Sequence, residues 1–294
     1  MRKIIIGSRG SDLALWQANH VKDQLAKAGH ESTIKVISTQ GDRIQHLSFD
    51  KMEGKGFFTK EIEAALIDKS IDLAVHSHKD LETTSPDGLI IAAVSERENP
   101  AELLLIRQDS VDNDQPLGIK KNPVIGTSSA RRKSQLITFR DDLTIKDLRG
   151  NVPTRINKLR EKQYDAIVLA LAGVKRLELD LSDLATVTMD PTVFVPAPSQ
   201  GVLGLQIREE DKELGDILSD INDEDVKHQI GVERAVLKQL HGGCQMPLGV
   251  YCTPENDVHV AFANTWEEGA VFKEYKATHD LSIAKTIVEE LKQL

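Results

Sequence analysis

Short apolar runs alternate with amphipathic segments through the first third of the chain. The run KIIIGS precedes a segment in which Leu15, Ala18, Val21 and Leu25 recur at helical spacing. Three more apolar runs predict strands, with a helix at FFTKEIEAALIDKS between the first two; the runs are TIKVIST, IDLAVHSH and GLIIAAV. This alternation predicts an α/β lobe with a parallel or mixed sheet.

A second set of similar elements begins near residue 123. PVIGTSS predicts a strand and a turn, ARRKSQLITF and NVPTRINKLREKQ predict helices, and DAIVLALAG predicts a strand. IIIGSRGSDLALWQ and PVIGTSSARRKSQL share one order of strand, Gly-Ser/Thr turn and helix, so we expect two similar lobes. The proline-marked segment FVPAPSQGVLGLQIREEDKE is expected to return the chain to the first lobe.

A smaller unit is predicted after the acidic segment SDINDEDVKH. Apolar residues at helical spacing predict a helix running into HGGC, VHVAF predicts a strand, and a C-terminal helix presents one apolar face made of Ile283, Ile287, Leu291 and Leu294. The expected fold class is α/β with two lobes and a small α+β C-terminal domain. The expected boundaries are 1–98 with 197–218 for domain 1, 99–196 for domain 2 and 219–294 for domain 3.

Composition narrows the class of protein. The 294 residues carry a net charge of -9, with 40% hydrophobic and 28% charged residues, and this acidic balance argues against nucleic-acid or anionic-membrane partners. No apolar run is long enough for a signal sequence or a membrane span, so we expect a cytoplasmic protein. The two cysteines, Cys244 and Cys252, form neither a disulfide framework nor a zinc pattern.

Cations and hydroxyls concentrate at the predicted strand-to-helix turns of this acidic chain. Helix N-termini favour anions and arginine binds carboxylates in a bidentate way, so the turns predict sites for a ligand with several carboxylates or phosphates. The residues concerned are Arg9, Ser11, Thr127, Ser128, Ser129, Arg131, Arg132, Arg149, Arg155, Lys175 and Arg176. A single arginine of this kind would be read as a solvated surface residue, but the recurrence favours binding.

Three further features suggest chemistry. Asp80 directly follows Lys79 at the end of a predicted buried strand, where it could be a general acid, a counter-ion, a helix cap or an ion-pair partner of Lys79. His76 and His78 share one face of that strand, which favours packing or hydrogen bonding over metal binding. Cys244 lies after a helix end beside two glycines and could be inert, a nucleophile with His241 as base, or a covalent anchor.

Eight stretches, in order and at compatible spacing, resemble the porphobilinogen deaminase family over nearly the whole chain. They are GSRGSDLALWQ, GKGFFTKEIE, AVHSHKDL, GTSSARR, LRGNVPTR, LALAGVKRL, PAPSQGVLG and GGCQMPLG. The resemblance implies two lobes related to periplasmic binding proteins, a third domain and a monomeric enzyme. It also implies a transferase that joins four porphobilinogen units into hydroxymethylbilane with loss of ammonia, using a dipyrromethane cofactor on Cys244, in tetrapyrrole and heme biosynthesis.

The resemblance also implies roles for individual residues. Asp80 matches the family's catalytic acid, and the residues matching cofactor and substrate carboxylate ligands are Arg9, Ser11, Lys55, Lys79, Thr127, Ser129, Arg131, Arg132, Arg149, Arg155, Arg176 and Gln200. No metal is implied. The chain departs from the family at His241, at Pro153 and in PAPSQG, which replaces the usual PAxGQG.

Two other functions stay open on the sequence. A soluble two-lobed binder of polyanions would share the turn arginines but would need neither Cys244 nor Asp80. A cysteine-dependent hydrolase would need His241 as a base.

Overall fold

The structure is a computed structural model of the chain, and it describes residues 2–43, 59–243, 245–277 and 281–294. The strands are β1 (Ile4–Ser8), β2 (Ser32–Val36), β3 (Leu73–Ser77), β4 (Leu89–Val94), β5 (Glu102–Arg107), β6 (Val124–Gly126), β7 (Thr144–Lys146), β8 (Ala166–Ala170), β9 (Leu184–Met189), β10 (Leu203–Arg208), β11 (Leu248–Cys252), β12 (Asp257–Phe262) and β13 (Val271–Lys276). The α-helices are α1 (Asp12–Lys27), α2 (Gln40–Arg43), α3 (Lys60–Ile67), α4 (Ala130–Phe139), α5 (Val152–Arg160), α6 (Leu171–Arg176), α7 (Lys212–Ser219), α8 (Glu224–Gln239) and α9 (Ile283–Leu291).

The described chain divides into two compact units. The first contains the described residues from 2 to 98 together with Gln200–His228, and the second contains Asn99–Ser199 with the described part of Gln229–Leu294. The chain returns to the first unit between Ser199 and Gln200, inside the segment FVPAPSQGVLGLQIREEDKE. A Cβ at Gly201, where φ is +91°, would collide with the carbonyl oxygen of Glu98, so this position requires glycine.

The first unit is built on a five-stranded sheet in the order β2-β1-β3-β10-β4. Strands β1, β2 and β3 are parallel, and β10 runs antiparallel to both β3 and β4. The apolar stripe of α1 predicted from the sequence packs on this sheet, with Ala18, Val21 and Leu25 buried in the same cluster as Ile4 and Ile6. The predicted strands and helix of the first lobe are therefore confirmed.

The second unit contains a five-stranded sheet in the order β7-β6-β8-β5-β9. Here β6, β7 and β8 are parallel, and β5 is antiparallel to both β8 and β9. The two sheets therefore have the same arrangement of three parallel strands, one antiparallel strand and an outer strand. This match confirms the two similar α/β lobes predicted from the repeated strand, turn and helix.

The C-terminal part of the second unit has its own sheet and apolar core. Strands β11, β12 and β13 form an antiparallel sheet, and α8 and α9 contribute Val232, Val236 and Ile287 to its core. Cys252 is fully buried there, as expected for a small apolar residue. Leu294 was predicted on the buried face of the last helix, but α9 ends at Leu291 and Leu294 is 50% exposed, so that prediction is wrong.

The fold class is thus α/β with a small α+β C-terminal part, as predicted. The three-domain boundaries at 98, 196 and 218 stay a prediction. None of the helices among the described residues is long and apolar enough to cross a membrane.

Candidate functional site

A pocket of about 80 Å³ with polar and apolar lining lies in the first unit, at the edge of the sheet where β1 and β3 end. The carboxyl ends of parallel strands form the usual ligand side of such sheets, because the following turns and helix N-termini point there. Among the described residues, its polar lining includes Arg9, Ser11, Gln17, Thr59, His76 and Asp80. The sequence had selected Arg9, Ser11 and Asp80, and the structure brings all three together.

The turn after β1 forms one wall of this pocket. Ser11 is the N-cap of α1, and its side-chain oxygen accepts from the backbone N–H of Ala14 at 3.4 Å. The first turn of α1 therefore presents its N-terminal dipole to the pocket, and Arg9 adds a full positive charge beside it. This wall suits a carboxylate of a ligand.

The turn after β3 also lines the pocket. His78, Lys79 and Asp80 make a short 3-10 turn, and the Asp80 side chain is exposed to the pocket. The Lys79 ammonium donates to the Gln200 side-chain oxygen at 3.1 Å, which joins two further predicted site residues. The exposed carboxylate of Asp80 can hold a cationic group of a substrate, while the acid groups of the same substrate bind Arg9.

Hydrogen bonds hold several polar side chains of the pocket lining in place. Gln17 donates through Nε2 to the Ser77 hydroxyl at 2.8 Å, and His76 Nε2 lies 3.1 Å from the Gln206 side-chain oxygen. Burial, aided by the positive charge of Arg9, lowers the pKa of His76 to about 4, so this imidazole is neutral near pH 7. The hydrogen bond to Gln206 confirms the expectation of hydrogen bonding for His76.

In the second unit, the turn after β6 begins with the buried Thr127 and the half-buried Ser129. The Thr127 side-chain oxygen accepts from the Ser129 backbone N–H at 3.2 Å, and Ser129 is the N-cap of α4. The Ser129 oxygen accepts from the backbone N–H of Arg132 at 3.4 Å. These bonds fix the first turn of α4, so the two arginines that follow start from a defined backbone.

Arg131 and Arg132 are buried and share one carboxylate. Each donates to a separate oxygen of Glu102 at 2.6 Å, and Glu102 has no exposed surface. Their other contacts are backbone carbonyls: Arg131 donates to Val195 at 3.0 Å and Arg132 donates to Val168 at 2.9 Å. Two cations on one anion leave this cluster with a formal charge of +1.

One donor of this cluster is not used. Arg132 is 6% exposed, and its Nε has no hydrogen-bond partner among the described residues. A buried N–H of a charged group without a partner is costly, and such atoms mark positions where a ligand or water completes the structure. The cluster therefore suits an added anion.

The other cations predicted for binding in the second unit are Arg149, Arg155, Lys175 and Arg176. Arg155 Nε donates to the carbonyl of Gly150 at 2.7 Å, which fixes its side chain across the turn that Arg149 begins. Asn151 caps α5, and Pro153 lies in the first turn of that helix. Arg176 is largely buried at the end of α6, whereas Lys175 is exposed.

Lys55 and Cys244 lie outside the described residues, so their predicted roles rest on the sequence. Over the part of the chain that is described, there is no group of three or more His, Cys, Asp or Glu side chains that could hold a metal ion.

Several site residues were missed by the sequence reasoning. Gln17 and Glu102 each gave a signal, because Gln17 is a polar residue beside the apolar stripe of α1 and Glu102 is an acid that opens the buried run ELLLIR. Thr59, Ser77 and Gln206 gave no such signal, since they come together only through the pairing of β3 with β10 and the packing of α3.

Together the fold and these residues define an α/β protein with clustered cationic side chains and a carboxylate in its pocket. A sequence model described as the porphobilinogen deaminase, dipyromethane cofactor binding domain matches residues 4–216, and one described as the porphobilinogen deaminase C-terminal domain matches residues 228–293. The chain belongs to the porphobilinogen deaminase family. The predicted family and enzyme class, a transferase of tetrapyrrole biosynthesis, are confirmed.

Curated relatives agree with this assignment. The porphobilinogen deaminase of Oceanobacillus iheyensis is 44% identical over 99% of this chain and 94% of the relative. That of Maridesulfovibrio salexigens is 46% identical over 87% of this chain and 82% of the relative. Among solved structures, a putative methionine-binding lipoprotein of Bacillus subtilis is 12% identical, with a TM-score of 0.45 over 76% of this chain and 92% of the other.

Proposed function

We propose that this chain joins four porphobilinogen molecules head to tail into hydroxymethylbilane with loss of ammonia, starting from a dipyrromethane attached to Cys244. The observation that carries the proposal is the pocket of the first unit, where Arg9 and the N-terminus of α1 lie with the exposed carboxylate of Asp80. Such a substrate has carboxylate side chains and a cationic reacting group. In the pocket Arg9 can bind a carboxylate, and Asp80 can bind the cationic group.

The residues present fit a dipyrromethane. Each pyrrole of that group carries acid side chains, and the second unit holds a buried cluster of charge +1 with an unused donor on Arg132. When bound, the dipyrromethane would supply the primer pyrrole to which new units are added. The chain's own part is to neutralise acid arms that a protein of net charge -9 would otherwise repel.

Asp80 is proposed as the catalytic carboxylate. Loss of ammonia leaves a cationic substrate, and a carboxylate held beside it lowers the barrier electrostatically. The same group can accept and return the protons that leave and enter during each addition. The exposure of Asp80 to the pocket supports this role, because a carboxylate committed to a buried ion pair could not meet substrate.

Carboxylate binding is proposed for the remaining cations and hydroxyls that match the family: Arg9, Ser11, Lys55, Lys79, Thr127, Ser129, Arg131, Arg132, Arg149, Arg155, Arg176 and Gln200. We also propose that the protein is a cytoplasmic monomer that needs neither metal nor nucleic acid.

The mass of the intact purified chain tests the proposal. We expect a mass above that of the sequence by one dipyrromethane, and we expect Cys244→Ser to lose both the added mass and most of the activity. Cys252→Ala is the matched control, since this buried cysteine should leave the added mass in place. Fully active protein with an unmodified mass would exclude the proposed anchor.

A further inference from the structure

A chain of hydrogen bonds runs beneath the pocket of the first unit and connects three elements. His76 Nε2 on β3 lies 3.1 Å from Gln206 Oε1 on β10, and Gln206 Nε2 donates to Glu63 Oε1 on α3 at 3.1 Å. The other oxygen of Glu63 accepts from the Thr59 hydroxyl at 3.4 Å. His76 and Thr59 both line the pocket, so both ends of this chain reach it.

The chemistry of Glu63 fixes the direction of these bonds. An ionised carboxylate only accepts, so the Gln206 amide must turn its N–H₂ toward Glu63 and its oxygen toward His76. The oxygen can only accept, so the hydrogen of the neutral imidazole lies on Nε2. The other ring nitrogen, Nδ1, therefore carries a lone pair and is an acceptor.

The surroundings keep this imidazole uncharged. His76 is 5% exposed, and burial with the nearby charge of Arg9 lowers its pKa to about 4. On α1 the uncharged Gln17 lines the pocket, and on α3 the Glu63 carboxylate is hydrogen-bonded to Gln206, which is in turn the hydrogen-bond partner of His76.

Other charged groups near the ring have partners of their own or face the pocket. Arg208, two residues along β10, is bound by Asp72 at 3.1 Å and Asp211 at 3.3 Å. In the turn after β3, Lys79 donates to Gln200 and Asp80 is exposed to the pocket. The ring is thus held neutral in one tautomer.

We propose that His76 serves the pocket as a neutral hydrogen-bond acceptor for an N–H group of the ligand, with Gln206 and Glu63 as positioning residues that fix its tautomer. This rests on the proposed function, because pyrroles and aminomethyl groups carry N–H donors as well as acid arms. The pocket then separates donors for the acid arms, on Arg9 and α1, from acceptors for N–H groups, on His76 and Asp80.

The tautomer can be measured without reference to activity. The holoenzyme is labelled with ¹⁵N-histidine, and the ring nitrogens of His76 are assigned by comparison with His76→Gln among the nine histidines. We expect a protonated Nε2 and an unprotonated Nδ1 from pH 6 to pH 8. A ring with the hydrogen on Nδ1, or a charged ring at pH 7, would overturn the proposal even if the added mass on Cys244 is found.

Two variants then test the positioning residues. In Glu63→Gln the new amide can donate as well as accept, so we expect the second tautomer of His76 to appear and kcat/KM to fall by about threefold to tenfold, the value of one hydrogen bond. In Gln206→Glu a carboxylate beside the ring should raise the His76 pKa. We expect kcat/KM to fall at pH values where the ring is charged and to recover at higher pH.

Gln24→Glu on α1 is the control for an added negative charge, because Gln24 is outside the pocket lining. Retention of the added mass on Cys244 in all three variants shows that folding and cofactor assembly are intact. If the His76 ring became charged or changed its tautomer in a variant whose kinetics still equalled those of the wild type, His76 would not bind the ligand. Failure of the proposed function would show instead as absence of the added mass in the wild type.

Discussion

The two five-stranded sheets have the same strand arrangement but place different side chains on their antiparallel strand. In the first unit β10 carries Gln206, a neutral amide that orients a neutral histidine. In the second unit β5 carries Glu102, a buried carboxylate that holds two arginines at 2.6 Å. The same strand arrangement thus carries hydrogen-bonded neutral side chains beside the pocket of the first unit and a charged cluster in the second unit.

This difference separates two ways of binding an anion. The cations of the second unit are fixed by buried ion pairs before a ligand arrives, so little ordering is needed on binding. In the first unit Asp80 stays exposed, which keeps it available for chemistry. The second unit therefore suits holding a ligand and the first suits reacting with it, and the following variants test that division.

The largest effect is expected from Glu102→Gln. Removing this charge leaves two buried guanidinium groups without their counter-ion, which should cost the second unit about 3–5 kcal/mol of unfolding free energy. Each unit contains one tryptophan, Trp16 in the first and Trp266 in the second, so urea unfolding followed in a Trp16→Phe background reports the second unit.

The control for this change is Glu255→Gln, an exposed carboxylate in the same unit, which should alter stability by less than about 0.5 kcal/mol. Equal unfolding midpoints for Glu102→Gln and Glu255→Gln would show that the buried ion pairs do not stabilise the second unit.

The opposite result is expected for Asp80→Asn in the first unit. Because Asp80 is exposed, its loss should leave stability unchanged while turnover falls by roughly 10²–10³-fold, the cost of one electrostatic group in an active site. Asp87→Asn, an exposed change outside the pocket lining, is the matched control. If Asp80→Asn turned over at the wild-type rate, the pocket of the first unit would not be the reacting site.

The sequence predicted the strands, helices and paired lobes well, because those features depend on local periodicity and turn residues. It also predicted Arg9, Ser11 and Asp80 for one pocket, since turns after parallel strands meet at one edge. The partners of His76 and Arg132 were not predictable, because Gln206 meets His76, and Glu102 meets Arg132, only through antiparallel strands. The prediction that Leu294 lies on the apolar face of the last helix was wrong for a simpler reason, since helical spacing does not show where a final helix ends.

A smaller effect is expected at an ion pair on the edge of the second unit. Arg140 donates to both oxygens of Asp142, at 2.8 and 2.6 Å, and this lowers the pKa of Asp142 to about 2. The folded-state pKa of Asp142 lies below the unfolded-state value near 4, so this carboxylate stabilises the folded chain at pH values above about 4. That contribution to the free energy of unfolding is lost as the pH falls toward 2.

Asp142→Asn should therefore lower the urea midpoint at pH 7 and pH 5, with the difference from the wild type shrinking at pH 3. The Trp266 signal should report the change and the Trp16 signal should not. A difference that grows as pH falls would contradict the assigned sign.

The smallest effect is expected at Ser199, the last residue of the second unit before the chain returns to the first. Its φ is +64°, its buried hydroxyl has no partner among the described residues, and the family pattern PAxGQG has glycine here. Ser199→Gly relieves both costs and keeps the backbone N–H that donates to Glu233 at 2.6 Å. The greater freedom of glycine in the unfolded chain offsets part of this gain, so we expect the free energy of unfolding to rise by about 0.5–1 kcal/mol.

That gain corresponds to a rise of about 1–3 °C in Tm, measured with Trp266 as the reporter. Ser182→Gly, an exposed serine whose φ is not positive, should instead lose up to about 1 kcal/mol. If both variants lost stability equally, positive φ at Ser199 would carry no cost. A gain confined to Ser199→Gly would show that this chain keeps a strained serine where it passes from the second unit to the first.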